Sequence, residues 1–143
     1  MKIAKIASAG LIVGASMMMS MTNAFAATPS PANANVYIVS PSHGETVSSP
    51  VTVVFGVSGM GVAPAGVDKK NTGHHHLIID AATPNLDKHV PKDANHRHFG
   101  GGQTQATIEL APGKHTLQLV FGDKGHLPHN PPVVSKQIEI TVR

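Results

Sequence analysis

Cysteine is absent from this 143-residue chain, which removes disulfide staples, thiolate metal ligands and thiol nucleophiles together. Tryptophan is absent as well, and Tyr37 is the single tyrosine, so a polar aromatic platform for carbohydrate is lacking. Charged residues are only 13% of the chain and form no arginine-rich stripe interleaved with aromatics, which argues against nucleic acid as a partner. No stretch carries a long 3.6-residue apolar period, so amphipathic helices are not expected.

What is present begins with an export pattern. Lys2 and Lys5 precede an apolar run from Ile6 to Met21, and the chain then reaches Ala24-Phe25-Ala26. A basic start, a short apolar stretch and a small-x-small triplet describe a secretory signal peptide cleaved after Ala26. The run is broken by serines and glycines and is too short for a membrane span. Residues 1–26 are therefore expected to be removed, leaving 117 residues (143 minus 26) with nine basic and eight acidic side chains, a net charge of +1. Five of the six methionines leave with the signal and only Met60 stays, so the thioether set that suits copper(I) is missing. With no second apolar segment long enough to span a bilayer, the expectation is a periplasmic or secreted protein.

Residues 27–35 are small, polar and proline-bearing and read as a flexible linker. Residues 36–143 suffice for one domain with one core. Short β-branched runs separated by Gly, Pro, Asn and Asp fill this region, which predicts an all-β fold. Val51, Val53, Phe55 and Val57 alternate with Thr52, Val54 and Gly56; Ala106, Ile108 and Leu110 alternate with Thr107 and Glu109. The turn Ala111-Pro112-Gly113-Lys114 then leads to a strand from His115 to Phe121, and the two strands around it are expected to pair as a hairpin. Residues 134–142 alternate as a half-exposed strand. With residues 36–39 and 77–80, about six to seven strands suit an immunoglobulin-like sandwich or a small Greek-key barrel with function in its end loops.

Ten histidines, all beyond residue 42, fall mostly in clusters. In an extended strand, residues two apart share a face roughly 6.6 Å apart, so two imidazoles can converge on one ion. His74-x-His76 has that spacing, with Ile78 and Asp80 on the same face and His75, Leu77 and Ile79 on the other. His96-x-His98 and His126-x-x-His129 lie in loops that can fold over the same rim. Imidazole without thiolate suits copper(II) or zinc(II). The expected ligands are His74, His76 and His98, followed by His96, His126 and His129. His115, Asp80 and Asp123 are expected behind them, where a carboxylate fixes an imidazole tautomer.

The plainer alternative is that the imidazoles bond backbone carbonyls and aspartates and order the segment 81–103 with no ligand, in a structural or protein-interaction domain whose partner is another exported protein. A pH sensor is a further alternative, in which crowded imidazoles charge together as the pH falls. Gly100-Gly101-Gly102-Gln103 reads as a turn, not a phosphate loop, because no Lys-Ser/Thr follows. No serine sits in a nucleophile elbow, so no catalytic residue is assigned.

Four blocks carry a resemblance. Gly73-His74-His75-His76-Leu77-Ile78-Ile79-Asp80, His98-Phe99-Gly100-Gly101-Gly102-Gln103-Thr104, Pro112-Gly113-Lys114-His115-Thr116-Leu117-Gln118-Leu119 and His126-Leu127-Pro128-His129 resemble, in this order, bacterial exported domains of unknown function of the 4399 type. The resemblance covers nearly the whole domain and implies a secreted β domain with no established activity. The His-x-His strand, His89-Val90-Pro91-Lys92-Asp93 and Arg97-His98-Phe99-Gly100 are also similar to the metal-loop region of copper-zinc superoxide dismutases, which implies a redox enzyme on a Greek-key barrel. The cysteine pair of that family has no counterpart here.

Overall fold

The computed structural model describes residues 26–143; the expected signal peptide, apart from Ala26, lies outside the described residues. Alternating β-branched runs become β1 (Asn35–Ser40), β2 (Thr46–Val47), β3 (Val51–Ser58), β4 (Gly61–Val62), β5 (Thr72–Ile79), β6 (His96–His98), β7 (Gln105–Ile108), β8 (Gly113–Gly122) and β9 (Ile138–Val142), and no helix occurs among the described residues. These nine exceed the expected number because β2, β4 and β6 are pieces of two or three residues that no alternation pattern marks.

Two sheets face each other. One has the order β1-β3-β7; the other has the order β2-β9-β8-β5-β4, with β6 also on β5. Val36, Val53 and Phe55 from the small sheet pack against Leu77, Leu119, Phe121 and Ile140 from the large one. The architecture is a sandwich of open sheets rather than a barrel.

The expected hairpin of residues 106–110 and 115–121 does not form. β7 pairs with β3, Ile108 opposite Val51, whereas β8 pairs with β5 and β9. The Ala111–Lys114 stretch therefore carries the chain from one sheet to the other. Alternation fixes which face of a strand is apolar, but both sheets offer an apolar face to the same core. The expected strand 134–142 is also shorter. The continuous ladder spans Ile138–Val142; Val134 still bridges Val120 but one residue out of register with it, with the Ser135 hydroxyl accepting the Leu119 amide proton, so Val133 and Ser135 are buried out of phase with β9.

Register along β5 and β8 positions the histidines. His75 opposes Phe121, Leu77 opposes Leu119 and Ile79 opposes Leu117, and these pairs face the sandwich core. His74 opposes Gly122 and His76 opposes Val120 on the other face. There Ile78, Val120 and Val90 form a second, smaller apolar cluster against Leu86 and Val134. The chain following β5 thus covers the outer face of the large sheet, so β5 is buried on both sides from Gly73 to Ile79.

Candidate metal centre

His74, His76, His98 and His126 offer ring nitrogens that all lie within 4.8 Å of one another. Each comes from a different local cause. His74 and His76 share the outer face of β5 by the two-residue period. His98 joins them because β6 pairs antiparallel to β5 with His98 directly opposite His76. His126 arrives from the turn after β8, in which Asp123 N–H bonds Leu127 O at 2.8 Å and His126 N–H bonds Asp123 O at 3.0 Å. His126 has φ 66°, a left-handed conformation that a non-glycine residue rarely adopts and that tends to mark sites where the surroundings over-determine the backbone.

Space for the rings is made by glycine. A Cβ at Gly122 would stand 2.6 Å from His76 Cε1, and one at Gly100 would overlap the His98 ring. The sequence Phe-Gly at the end of β8 and the glycine run after β6 are thus sterically tied to the two imidazoles.

The rings stand edge to face and tilted. Centroids are 4.7 Å apart for His74 and His76, 5.0 Å for His74 and His98, and 4.6 Å for His98 and His126. His74 Nε2 and His126 Nδ1 are 3.1 Å apart. Tetrahedral imidazole ligation with nitrogens about 2.0–2.1 Å from the ion places ligand nitrogens roughly 3.3–3.4 Å apart. That pair lies within a few tenths of an ångström of this spacing, and the four ligand atoms as a set lie within 4.8 Å of one another.

Buried polar atoms without partners reinforce the fit. His74 and His76 are 0% and 1% exposed, yet His74 Nδ1, His76 Nδ1 and His98 Nε2 have no hydrogen-bond partner. Burial, then repulsion from His98 and His126, pushes the His74 imidazole down to about 4; burial and the neighbouring rings push His76 down to about 3. His98 is lowered by burial, by His126 and by Lys92. These three rings are neutral at pH 7, the form that donates a lone pair to a metal.

A carboxylate braces the loop. Asp123 Oδ1 accepts the amides of Gly125 and Leu127 at 2.8 and 3.0 Å, while Oδ2 accepts the Thr28 hydroxyl and amide at 2.8 and 3.2 Å. Burial alone would raise this acid, but the bonds from Thr28, Gly125 and Leu127 outweigh it and hold the carboxyl below its usual range. Asp123 therefore fixes the turn that presents His126, without bonding an imidazole itself. Its partner Thr28, and Ser30, whose amide bonds Asn130 O at 3.2 Å, both lie in the segment read from sequence as a linker. No local signal in the sequence announces that contact, which spans 95 residues.

The remaining expected site residues stand elsewhere. His96 is opposite Ile78, two pairs further along β6, and its Nδ1 is held at 2.8 Å by Asp93. His129 stacks on Phe121 and places its two nitrogens 3.3 and 3.2 Å from the carbonyls of Phe121 and Thr72. Neither belongs to the four-imidazole cluster, because each finds nearer partners. His115 and Asp80, expected behind the ligands, form their own clamp: His115 Nδ1 bonds Asp80 Oδ2 at 2.7 Å, and Asp80 Oδ1 accepts Thr116 N–H at 2.9 Å. That clamp ties the C-terminal end of β5 to the start of β8, four residues past His76. The site itself lies on the outer sheet face under the covering chain, not at the rim where the strand pattern placed it.

Residues 53–143 match the profile of a family described as "Domain of unknown function (DUF4399)". No curated protein and no solved structure matches the chain. The match spans every cluster histidine, and the chain belongs to the DUF4399 family.

Proposed function

We propose that this protein is an exported metal-binding domain that holds one divalent transition ion, copper(II) or zinc(II), through His74, His76, His98 and His126. The observation that carries the reading is the convergence of four imidazoles, three of which, His74, His76 and His98, keep a buried ring nitrogen without a partner. A buried polar atom left unpaired costs about 1–3 kcal/mol, and a metal ion is the partner that satisfies several such atoms at once. Thiolates are missing and the ligand set is all nitrogen, which suits copper(II) and zinc(II). The basic, apolar N-terminal segment supports delivery to the periplasm or outside the cell.

A structural role is favoured for other histidines by their own bonds. His89 Nδ1 meets Gly125 O at 2.8 Å, His115 holds Asp80, His96 holds Asp93, and His43 Nδ1 accepts Glu139 N–H at 3.0 Å. These rings tie loops to strands, and the metal reading is confined to the four that converge.

Isothermal titration of the protein with copper(II) and zinc(II) tests the proposal. One equivalent binding tightly, and lost when His74, His76 and His98 are changed to alanine, is the expected result. Weak binding equal in both proteins would leave a structural or interaction domain.

A further inference from the structure

The covering chain leaves an opening over the cluster. A cavity of about 270 Å³ has His76, His98 and His126 as its floor, and Val90 and Pro91 among its walls. His74, the fourth imidazole, is fully buried and does not line it. An ion held by the cluster would thus be covered by protein on the His74 side and open on the other. The cavity is below the size of typical pockets for drug-like ligands, roughly 300–1,000 Å³, and admits only a small molecule beside the metal.

Charge selects that molecule. An imidazole ligates a metal in its uncharged form, so an all-imidazole set leaves both positive charges of a divalent ion in place. The cavity adds His89 and Lys92 and no carboxylate, and Lys92 is close enough to depress His98 by repulsion. The Lys92 ammonium makes no ion pair among the described residues. Asp123, an acid whose charge acts on His74, is committed to Thr28, Gly125 and Leu127 and does not line this cavity. Val90 and Pro91 make part of the opening apolar, so an ion entering it exchanges water for a low-dielectric wall facing unbalanced positive charge, where Coulomb attraction is stronger than in water.

We infer that the cavity is a ligand site in its own right, in which a small monovalent anion binds the metal as a fifth ligand beside the four imidazoles, with Lys92 as its counter-charge. The inference rests on the metal reading above and specifies what the bound ion can take from solution.

Copper(II) is the appropriate probe metal because nitrogen sites hold it more tightly than other first-row divalent ions. The protein is loaded with one equivalent of copper(II) in low-salt buffer, its electron paramagnetic resonance and visible spectra are recorded, and sodium azide is titrated in. A saturable change in both spectra with a new charge-transfer band is expected. In Lys92→Glu, an exposed position whose variant is checked for native circular dichroism, azide affinity should fall about tenfold or more through charge reversal, with the loss shrinking as salt rises. Unchanged spectra on copper-loaded protein would overturn the inference by showing a closed coordination shell. Equal azide affinity in the variant would overturn the role of Lys92 and of the cavity. Failure to load copper at all, visible before azide is added, would overturn the metal reading and this inference with it.

Discussion

His75 is the residue whose position is hardest to justify by stability. It sits in the sandwich core between Phe55 and Phe121, ring centroids 5.1 and 5.0 Å away, with both ring nitrogens unpartnered, and burial pushes it down to about 4. An unsatisfied buried donor is destabilising, whereas an apolar group of similar shape removes the penalty. His75→Leu should therefore raise the thermal midpoint or leave it unchanged, and copper(II) affinity should stay within about twofold because His75 faces away from the cluster. Calorimetry with a parallel titration checks both; a drop of several degrees would reveal a partner for His75 in the folded protein. Gly122→Ala is the opposite case. The added methyl meets the His76 ring, so the variant should lose about 1–3 kcal/mol as an overpacked site and should bind copper(II) more weakly, which chemical denaturation and titration read separately.

At the level of the element, the turn after β8 decides whether three imidazoles become four. Its geometry is held by Asp123, whose two oxygens take two amides within the turn and two donors from Thr28. Residues behind metal ligands commonly change affinity by about 10–100-fold when removed. Asp123→Ala should reduce copper(II) affinity within that range and lower stability, while Thr28→Val, which deletes one of the donors, should have the same direction and a smaller size. If Asp123→Ala destabilises the fold with full copper affinity, the turn presents His126 without the carboxylate. This element also marks the limit of what the sequence discloses. The period of two along residues 74–80, which puts His74 and His76 on one face, is legible because strand geometry alone dictates it, whereas the strand character of His96–His98 and its pairing with β5 is not. The placement of His126, the separation of His96 and His129 from the cluster, and the grip of Thr28 on Asp123 depend on long-range contacts that no local pattern encodes. The Ala111–Lys114 connection reads locally as a hairpin for the same reason: both of its strands are apolar toward one shared core, and only the partner strands β3 and β5 distinguish the sheets.

Across the whole molecule, two sets of histidines impose opposite pH dependences. His74, His75 and His76 are depressed in the folded protein to about 4, 4 and 3, below the value of about 6.5 that governs the unfolded chain. Between those values the unfolded chain binds more protons, so their contribution is intact above about pH 6.5 and is lost as the pH falls toward 4. His115 runs the other way: its bond to Asp80, then that to Ala111 O, raises it, so its contribution is present below about pH 6.5 and is lost as the pH rises through the folded value. The buried set outnumbers the clamp and lies deeper, so the net curve of the metal-free protein should show acid destabilisation setting in below pH 6.5. A bound ion stabilises only the folded state, by about 2.7 kcal/mol at a free concentration one hundred times Kd. It must also compete with protons for the same nitrogens. Melting curves from pH 4 to 8 with and without copper(II) should therefore coincide at the acid end and separate as the pH rises, the gap closing in His74→Ala. Curves that stay parallel across the range would mean that copper engages groups that do not titrate there, because His74, His76 and His98 are at once depressed imidazoles and the expected ligands.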